Sequence, residues 1–247
     1  MQVRSTAFFL ALAAVSADTH ADWLGSGELG YVAARGNTHS DSVNGKLDVA
    51  NQLERWKHAL LINELYGSSN SVTTANRWET RWQSDYKITE PLYWFGGLRY
   101  EHDHFGAYSY QESATTGFGY KIFDTDTTKL SIQAGVGIKK SEPQTLVKDD
   151  SGKVVRRIAG DPETRGDVVG GLKFEHALTP NTKVLNNLLI EATGSNTFLQ
   201  NDLALQVSMS DKLALAVGYG IRENTSPPPD SKRLDSTTTL SLVYKIK

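Results

Sequence analysis

The sequence predicts an all-β protein, a single antiparallel transmembrane β-barrel of about 12 strands. Three observations predict it. Apolar and polar residues alternate over runs of about ten residues, every other connection is short, and aromatic residues gather near the ends of the alternating runs.

The chain begins with a segment of a different kind. Arg4 precedes the apolar run Phe8, Phe9, Leu10, Ala11, Leu12, Ala13, Ala14 and Val15, and small residues then offer cleavage after Ala17 or Ala21. Charge, short apolar stretch and small-residue exit are the order of a secretory signal peptide. The run is too short to span a ~30 Å hydrocarbon core as a retained helix. Residues 1–21 are therefore expected to be a signal peptide, and residues 22–247 the barrel domain.

Alternation is clearest from Lys129 to Lys139. Leu130, Ile132, Ala134, Val136 and Ile138 share one face there, while Ser131, Gln133, Gly135 and Gly137 share the other with the two lysines. The runs Arg77–Ile88 and Lys212–Arg222 repeat the pattern. Successive strand side chains point to opposite faces, so each run is apolar on one side only. This template places strands at about 23–35, 40–52, 55–67, 76–88, 92–103, 108–122, 129–140, 166–177, 182–192, 198–209, 212–223 and 236–246. The third is mixed on both faces, because Glu64 shares its parity with Trp56, Leu60 and Ile62.

Tight connections fall near Leu53-Glu54, Thr89-Glu90-Pro91, Asp124-Thr125-Asp126, Thr179-Pro180-Asn181 and Ser210-Asp211. The longest alternating ones are Lys140–Arg165 and Glu223–Asp235, the latter with Pro227-Pro228-Pro229, which cannot join a ladder. Short turns on one side, long loops on the other and an even strand number are the pattern of outer-membrane barrels, and they put both termini on the periplasmic side.

A soluble sandwich also alternates, but its strands are usually nearer five or six residues, whereas a tilted span needs ~9–11. Trp23, Trp56, Tyr66, Trp78, Tyr86, Tyr93, Trp94, Tyr108, Tyr110, Tyr120 and Tyr244 stand where amphipathic rings would meet the two lipid–water boundaries. The mean hydropathy of -0.39 fits strands whose other half faces inward.

Composition excludes several classes. The chain has no cysteine, hence no disulfide, thiolate nucleophile or cysteine metal ligand. A net charge of -2 supplies no basic footprint for nucleic acid. The glycines open no helix, so no phosphate-cradling loop is present in the pattern.

Gly27-Glu28-Leu29-Gly30-Tyr31 leading to Gly36-Asn37-Thr38, then Arg99-Tyr100-Glu101-His102-Asp103 with Phe105, Gly117-Phe118-Gly119-Tyr120, Gly135-Val136-Gly137 and the closing Leu240-Ser241-Leu242-Val243-Tyr244-Lys245 occur in an order with a resemblance to one family. The chain resembles the salt-induced outer-membrane proteins, otherwise classed as a domain of unknown function. That resemblance implies an outer-membrane barrel and expression under salt stress, and it carries over no catalytic residue. The chain departs from the usual aromatic C-terminus of such barrels by ending in Lys247.

The densest charged group lies on strands four and five: Arg77, Glu79, Arg81, Asp85 and Lys87, then Arg99, Glu101 and Asp103. A turn centred near Thr89 would set Glu79 opposite Arg99 and Arg77 opposite Glu101. Shifting by two residues would oppose like charges, which directly facing side chains disfavour. The group reads either as a charged constriction that selects ions or as an internal zipper that stiffens the lumen. His102 and His104 share one face while Asp103 points to the other, so the three do not converge on a metal or form an Asp–His pair. His58 and His176 have no serine beside them in sequence to suggest a hydrolase. The segment 140–165 reads as a flexible external loop, or as an inward plug or a partner epitope.

Three function classes follow. The barrel is a narrow diffusion channel for ions or small solutes, a structural barrel with a salt-bridged lumen, or, with least support, a membrane-embedded hydrolase. No cofactor or metal is expected. The expected partners are outer-membrane lipid, the barrel assembly machinery and the solutes themselves.

Overall fold

The computed structural model describes residues 23–35, 40–69, 72–150, 153–228 and 231–246, and among them there is no helix. The predicted signal peptide lies outside the described residues. The strands are β1 (Trp23–Arg35), β2 (Ser40–Gln52), β3 (Trp56–Ser69), β4 (Val72–Lys87), β5 (Leu92–Asp103), β6 (Tyr108–Asp124), β7 (Thr128–Lys148), β8 (Val154–Ala159), β9 (Glu163–Thr179), β10 (Thr182–Thr193), β11 (Thr197–Ser208), β12 (Leu213–Asn224) and β13 (Leu234–Ile246). Every pairing is antiparallel between neighbours in sequence, except where β7 reaches past β8 to β9 and where β1 meets β13. β8 pairs with β7 alone, so twelve of these strands form a closed ring.

β8 corrects the reading of residues 140–165 as a loop. β7 runs on to Lys148, and the chain returns along it, with Gln144 opposite Ala159 and Lys148 opposite Val154. Leu146, Val147, Val154, Val155 and Ile158 give the segment strand-forming content. Asp149 turns it, its Oδ1 accepting from Lys153 N at 3.0 Å. The result is a hairpin standing beyond the ring, not an inward plug.

The ring is inside out relative to a soluble protein. Leu29, Leu98, Val136, Ile138 and Phe118 are 65, 61, 60, 60 and 58% exposed, whereas Glu79, Glu191, Glu101 and Lys139 are 1, 2, 3 and 5% exposed. Apolar side chains out and charged ones in is the arrangement a sheet bathed in hydrocarbon requires. Aromatic belts mark both ends of the outer face. Near the short turns Trp56 packs on Tyr86 and Trp94, at 5.0 and 6.3 Å between centroids. Near the loops Tyr100 stacks on Trp78 and Tyr110, at 5.0 and 6.4 Å.

The mixed faces of β3 have a local cause. Its inward side carries Leu61 and Leu65 beside Lys57 and Asn63, and Leu65 shares a small apolar cluster with Ala75 of β4. Further round the ring, Gly117 and Gly119 of β6 and Gly135 and Gly137 of β7 take inward positions among Ser113, Thr115, Gln133 and Lys139. A Cβ at Gly117 or Gly135 would strike the neighbouring strand's backbone, and one at Gly119 would strike the Tyr93 ring. These glycines leave the flat wall on which Phe95, 1% exposed, lies inside the lumen.

Arginine at Val217, on the outer face in mid-strand, is expected to cost about 2–4 kcal/mol in equilibrium unfolding from lipid vesicles. Arginine at Leu234, outward but at the loop end of β13, is expected to cost about 0–1 kcal/mol.

Candidate functional site

Inward parity aims the charges of β4 and β5 into the lumen, but the register between them is not the expected one. Arg77 faces Asp103, Glu79 faces Glu101, and Arg81 faces Arg99. The turn sets this register. Lys87 pairs with Tyr93, Ile88 N and Thr89 N both donate to Leu92 O at 3.0 Å, and Leu92 N donates to Thr89 Oγ1 at 3.2 Å. Two directly opposed like pairs result. They persist because each charge finds its counter-ion along its own strand, on the diagonal, or across the lumen.

Arg99 is the hub. Its Nε donates to Glu79 Oε1 at 2.7 Å, its Nη2 to Glu101 Oε2 at 2.5 Å, and its Nη1 to Glu191 Oε2 of β10 at 3.2 Å. All three guanidinium nitrogens thus hold different carboxylates, which a planar five-donor fork can do and an ammonium cannot. Glu79 also takes Arg81 Nε at 2.5 Å. Glu191 also takes Lys139 Nζ of β7 at 2.7 Å and the Ser113 hydroxyl of β6 at 2.9 Å.

Two links cross the full lumen, because β4 and β5 lie opposite β11 and β12 in the closed ring. Arg222 Nη2 of β12 donates to both oxygens of Glu101 at 2.6 Å. Arg81 Nη2 and Arg222 Nη1 share Gln200 Oε1 of β11, at 2.8 and 3.0 Å. Phe198 of β11 sits among the cations, with Arg99 Cζ, Lys139 Nζ and Arg222 Cζ at 5.0, 4.9 and 4.9 Å from its ring centroid. The whole is a septum of paired side chains from one wall to the other.

Cavities lie against both faces of the septum. One, of about 300 Å³, is lined by Arg99, Glu191 and Arg222 and extends to Lys46, Asp48, Asn187 and Lys173. The other, of about 260 Å³, lies toward the loops, is lined by Lys139 and Gln111, and shares no lining residue with the first.

Of the residues expected here, Glu79, Arg81, Arg99 and Glu101 join the septum. Arg77 and Asp103 stand beside it, 4.0 Å apart. Asp103 also makes the turn beyond β5, its Oδ1 accepting from Phe105 N and Gly106 N at 2.8 and 2.9 Å. Asp85 stays out, opposite Phe95, where Gln83 Nε2 donates to it at 2.7 Å. Sequence reasoning missed Ser113, Lys139, Glu191, Phe198, Gln200 and Arg222. Each has inward parity near the loop end of its strand. Comparing strands by depth could have found them, but that needs registers not carried by any single strand. Asp167, 3% exposed, also faces inward here, and neither of its carboxylate oxygens has a hydrogen-bond partner among the described residues.

Among the described residues, the histidines of the strands, His58, His102 and His176, lie on the outer face. His102 and His104 meet edge to face at 4.5 Å between centroids, away from Asp103. His58 Nδ1 contacts Ser84 Oγ at 2.9 Å, a Ser–His contact that sequence separation hid and that β3–β4 register creates. Ser84 Oγ also accepts from Trp82 Nε1 at 3.0 Å, and His58 stacks between Trp56 and Trp82. The backbone around this pair is committed to the ladder, so no free amide is aimed at a developing oxyanion. His176 Nδ1 lies 2.9 Å from Thr128 Oγ1.

Glu191→Gln leaves Arg99 and Lys139 short of a buried counter-charge and is expected to destabilise by about 3–5 kcal/mol in vesicle unfolding. The cross-lumen pair gives a cleaner reading. Combining Glu101→Gln with Arg222→Gln should cost less than the two singles summed, by about 0.5–3 kcal/mol, and strict additivity would mean that the pair is not coupled.

Comparison with known proteins agrees with this architecture. A NanC porin matches with a TM-score of 0.55 at 9% identity, over 88% of this chain and 98% of that one. An outer-membrane channel from Pseudomonas putida F1 matches with a TM-score of 0.50 at 10% identity, over 90% of this chain and 95% of the other. These likenesses show the fold, that of outer-membrane barrels. In sequence, the uncharacterized protein YdiY of Escherichia coli (strain K12) is 23% identical over 218 residues, 88% of this chain and 81% of that protein. The model of one family covers residues 27–246, nearly the whole barrel, and the chain belongs to that family, DUF481, described as proteins of unknown function.

Proposed function

We propose that the protein is exported through its N-terminal segment and works in the outer membrane as a narrow diffusion channel for ions or small solutes, limited at the septum. The observation that carries this reading is the pair of cavities, of about 300 and 260 Å³, on either side of one layer of paired side chains. A lumen serving structure alone has no need of open chambers. Charged side chains at a constriction are also how pores select ions. The septum carries both signs, Arg81, Arg99, Arg222 and Lys139 against Glu79, Glu101 and Glu191, so selectivity between cations and anions should be weak.

On this reading the protein is not an enzyme, and its partners are lipid, the barrel assembly machinery and the permeating solutes. Its termini and short turns face the periplasm and the β7–β8 hairpin faces outward. The resemblance to salt-induced outer-membrane proteins supports expression under salt stress. A second reading, a structural barrel closed to transport, is favoured by the direct Arg222–Glu101 tie across the lumen.

Single-channel recording of the refolded protein in a planar bilayer decides between them, with folding checked by heat-modifiable gel migration. Discrete steps of small conductance are expected. Phe198→Ala, which removes the ring among the three cations, should raise the step roughly two-fold or more. Glu191→Gln should bias the current toward anions. Silence from wild type and from Phe198→Ala, both demonstrably folded, would establish the closed structural barrel.

A further inference from the structure

The two chambers differ in chemistry. Toward the turns, the larger one carries Lys46, Asp48, Lys173 and Asp202 among its lining, an ionic environment. Toward the loops, the smaller one is lined by Tyr108, Gln111, Ser141 and Ser195, with Pro143, Pro227 and Pro228 as stiff apolar walls. Its charged residues are already engaged. Lys139 Nζ is on Glu191 at 2.7 Å, and Arg165 holds Glu163 through Nε and Nη2 at 3.0 and 2.9 Å.

One group there is unsatisfied. Gln111 is 4% exposed, and its Oε1 has no hydrogen-bond partner among the described residues. A buried acceptor without a donor costs about 1–3 kcal/mol, and a hydroxyl donated by a solute would remove that cost. The prolines come from the β12–β13 connection, which is held over the chamber by Ser226 N donating to Asn196 Oδ1 at 2.9 Å and Thr197 N donating to Thr225 Oγ1 at 2.9 Å. Pro227 and Pro228, which sequence places in a long connection outside any ladder, are thus a wall of this chamber.

We infer that the loop-side chamber is a binding vestibule for neutral polyhydroxylated solutes of sugar or polyol size, with the Gln111 side chain turning its unpartnered Oε1 toward the chamber as the acceptor that reads a solute hydroxyl. The inference rests on the channel reading and names its solute class. Hydroxyl-bearing walls match several solute hydroxyls at once, while the Tyr108 ring and the prolines offer surface to the C–H face of a sugar ring. A net charge on the solute gains little, because both cations of the chamber keep their own carboxylates.

The test is saturation-transfer NMR on the refolded full-length barrel in detergent micelles. The probes are D-glucose and D-glucitol, with D-gluconate and D-glucosamine as charged counterparts. Transfer to the two neutral solutes is expected. Gln111→Leu should weaken it about five-fold, the worth of one hydrogen bond, while heat-modifiable migration is retained. If Gln111→Leu does not fold, Ser141→Ala takes its place with the same expectation. Absence of transfer to either neutral probe, transfer unchanged in the folded variant, or clearly stronger transfer to gluconate or glucosamine each overturns the inference. Binding is read without a bilayer, so a conducting barrel that binds no polyol removes the vestibule alone. A binding barrel that never conducts removes the channel reading alone.

Discussion

Every backbone polar group of a sheet in hydrocarbon needs a partner, and the sheet meets that demand only when its first strand finds its last. Here β1 lies antiparallel to β13 from Gly25 opposite Ile246 to Arg35 opposite Ser236, and β7 lies between β6 and β9. Closure forces the remaining features. It makes the strand number in the ring even and brings the start of β1 and the end of β13 to the end with the short turns. It also brings opposite walls close enough that Arg222 of β12 reaches Glu101 of β5. A wider ring would leave those charges hydrated on their own walls.

The septum is an expensive way to fill a lumen. Desolvating several carboxylates and guanidinium groups costs more than packing apolar side chains of the same volume, and buried ion pairs of this kind are commonly replaced by hydrocarbon without loss of stability. Their presence beside Phe198, and not in place of more residues like it, points to a role in what passes or in how the walls are aligned. Alignment has a visible basis. The β4–β5 register opposes Glu79 to Glu101 and Arg81 to Arg99, and ion pairs along and diagonally between these strands, joined by Glu191, Gln200 and Arg222 from β10, β11 and β12, make that register acceptable. Local turn chemistry and distant charges therefore have to agree.

That dependence explains what was legible in the sequence and what was not. Period-two alternation and turn residues located all twelve strands of the ring, because each is a property of contiguous residues; β2 and β5 fall at their expected limits. β8 was hidden because its apolar residues sit among charges in a segment that reads as loop by composition. The cluster on β4 and β5 was visible because several charges share one face of each strand. Glu191 and Arg222 were not, since a single inward charge gains meaning only from what stands across the lumen. The pairing of β4 with β5 was misjudged because only direct opposition was weighed, while the turn sets the register and diagonal and cross-lumen counter-charges accommodate it. Likewise His58 and Ser84 became neighbours only through the β3–β4 register.

The cross-lumen ties have a mechanical side. A thin-walled tube under the lateral pressure of a bilayer yields first by flattening, since its hydrogen bonds run around the hoop and resist stretching far better than bending. Arg81–Gln200 and Arg222–Glu101 join opposite walls directly, as spokes join a rim. They hold one diameter of the ring fixed, so the cross-section at that depth stays set while the ends above and below remain free to breathe.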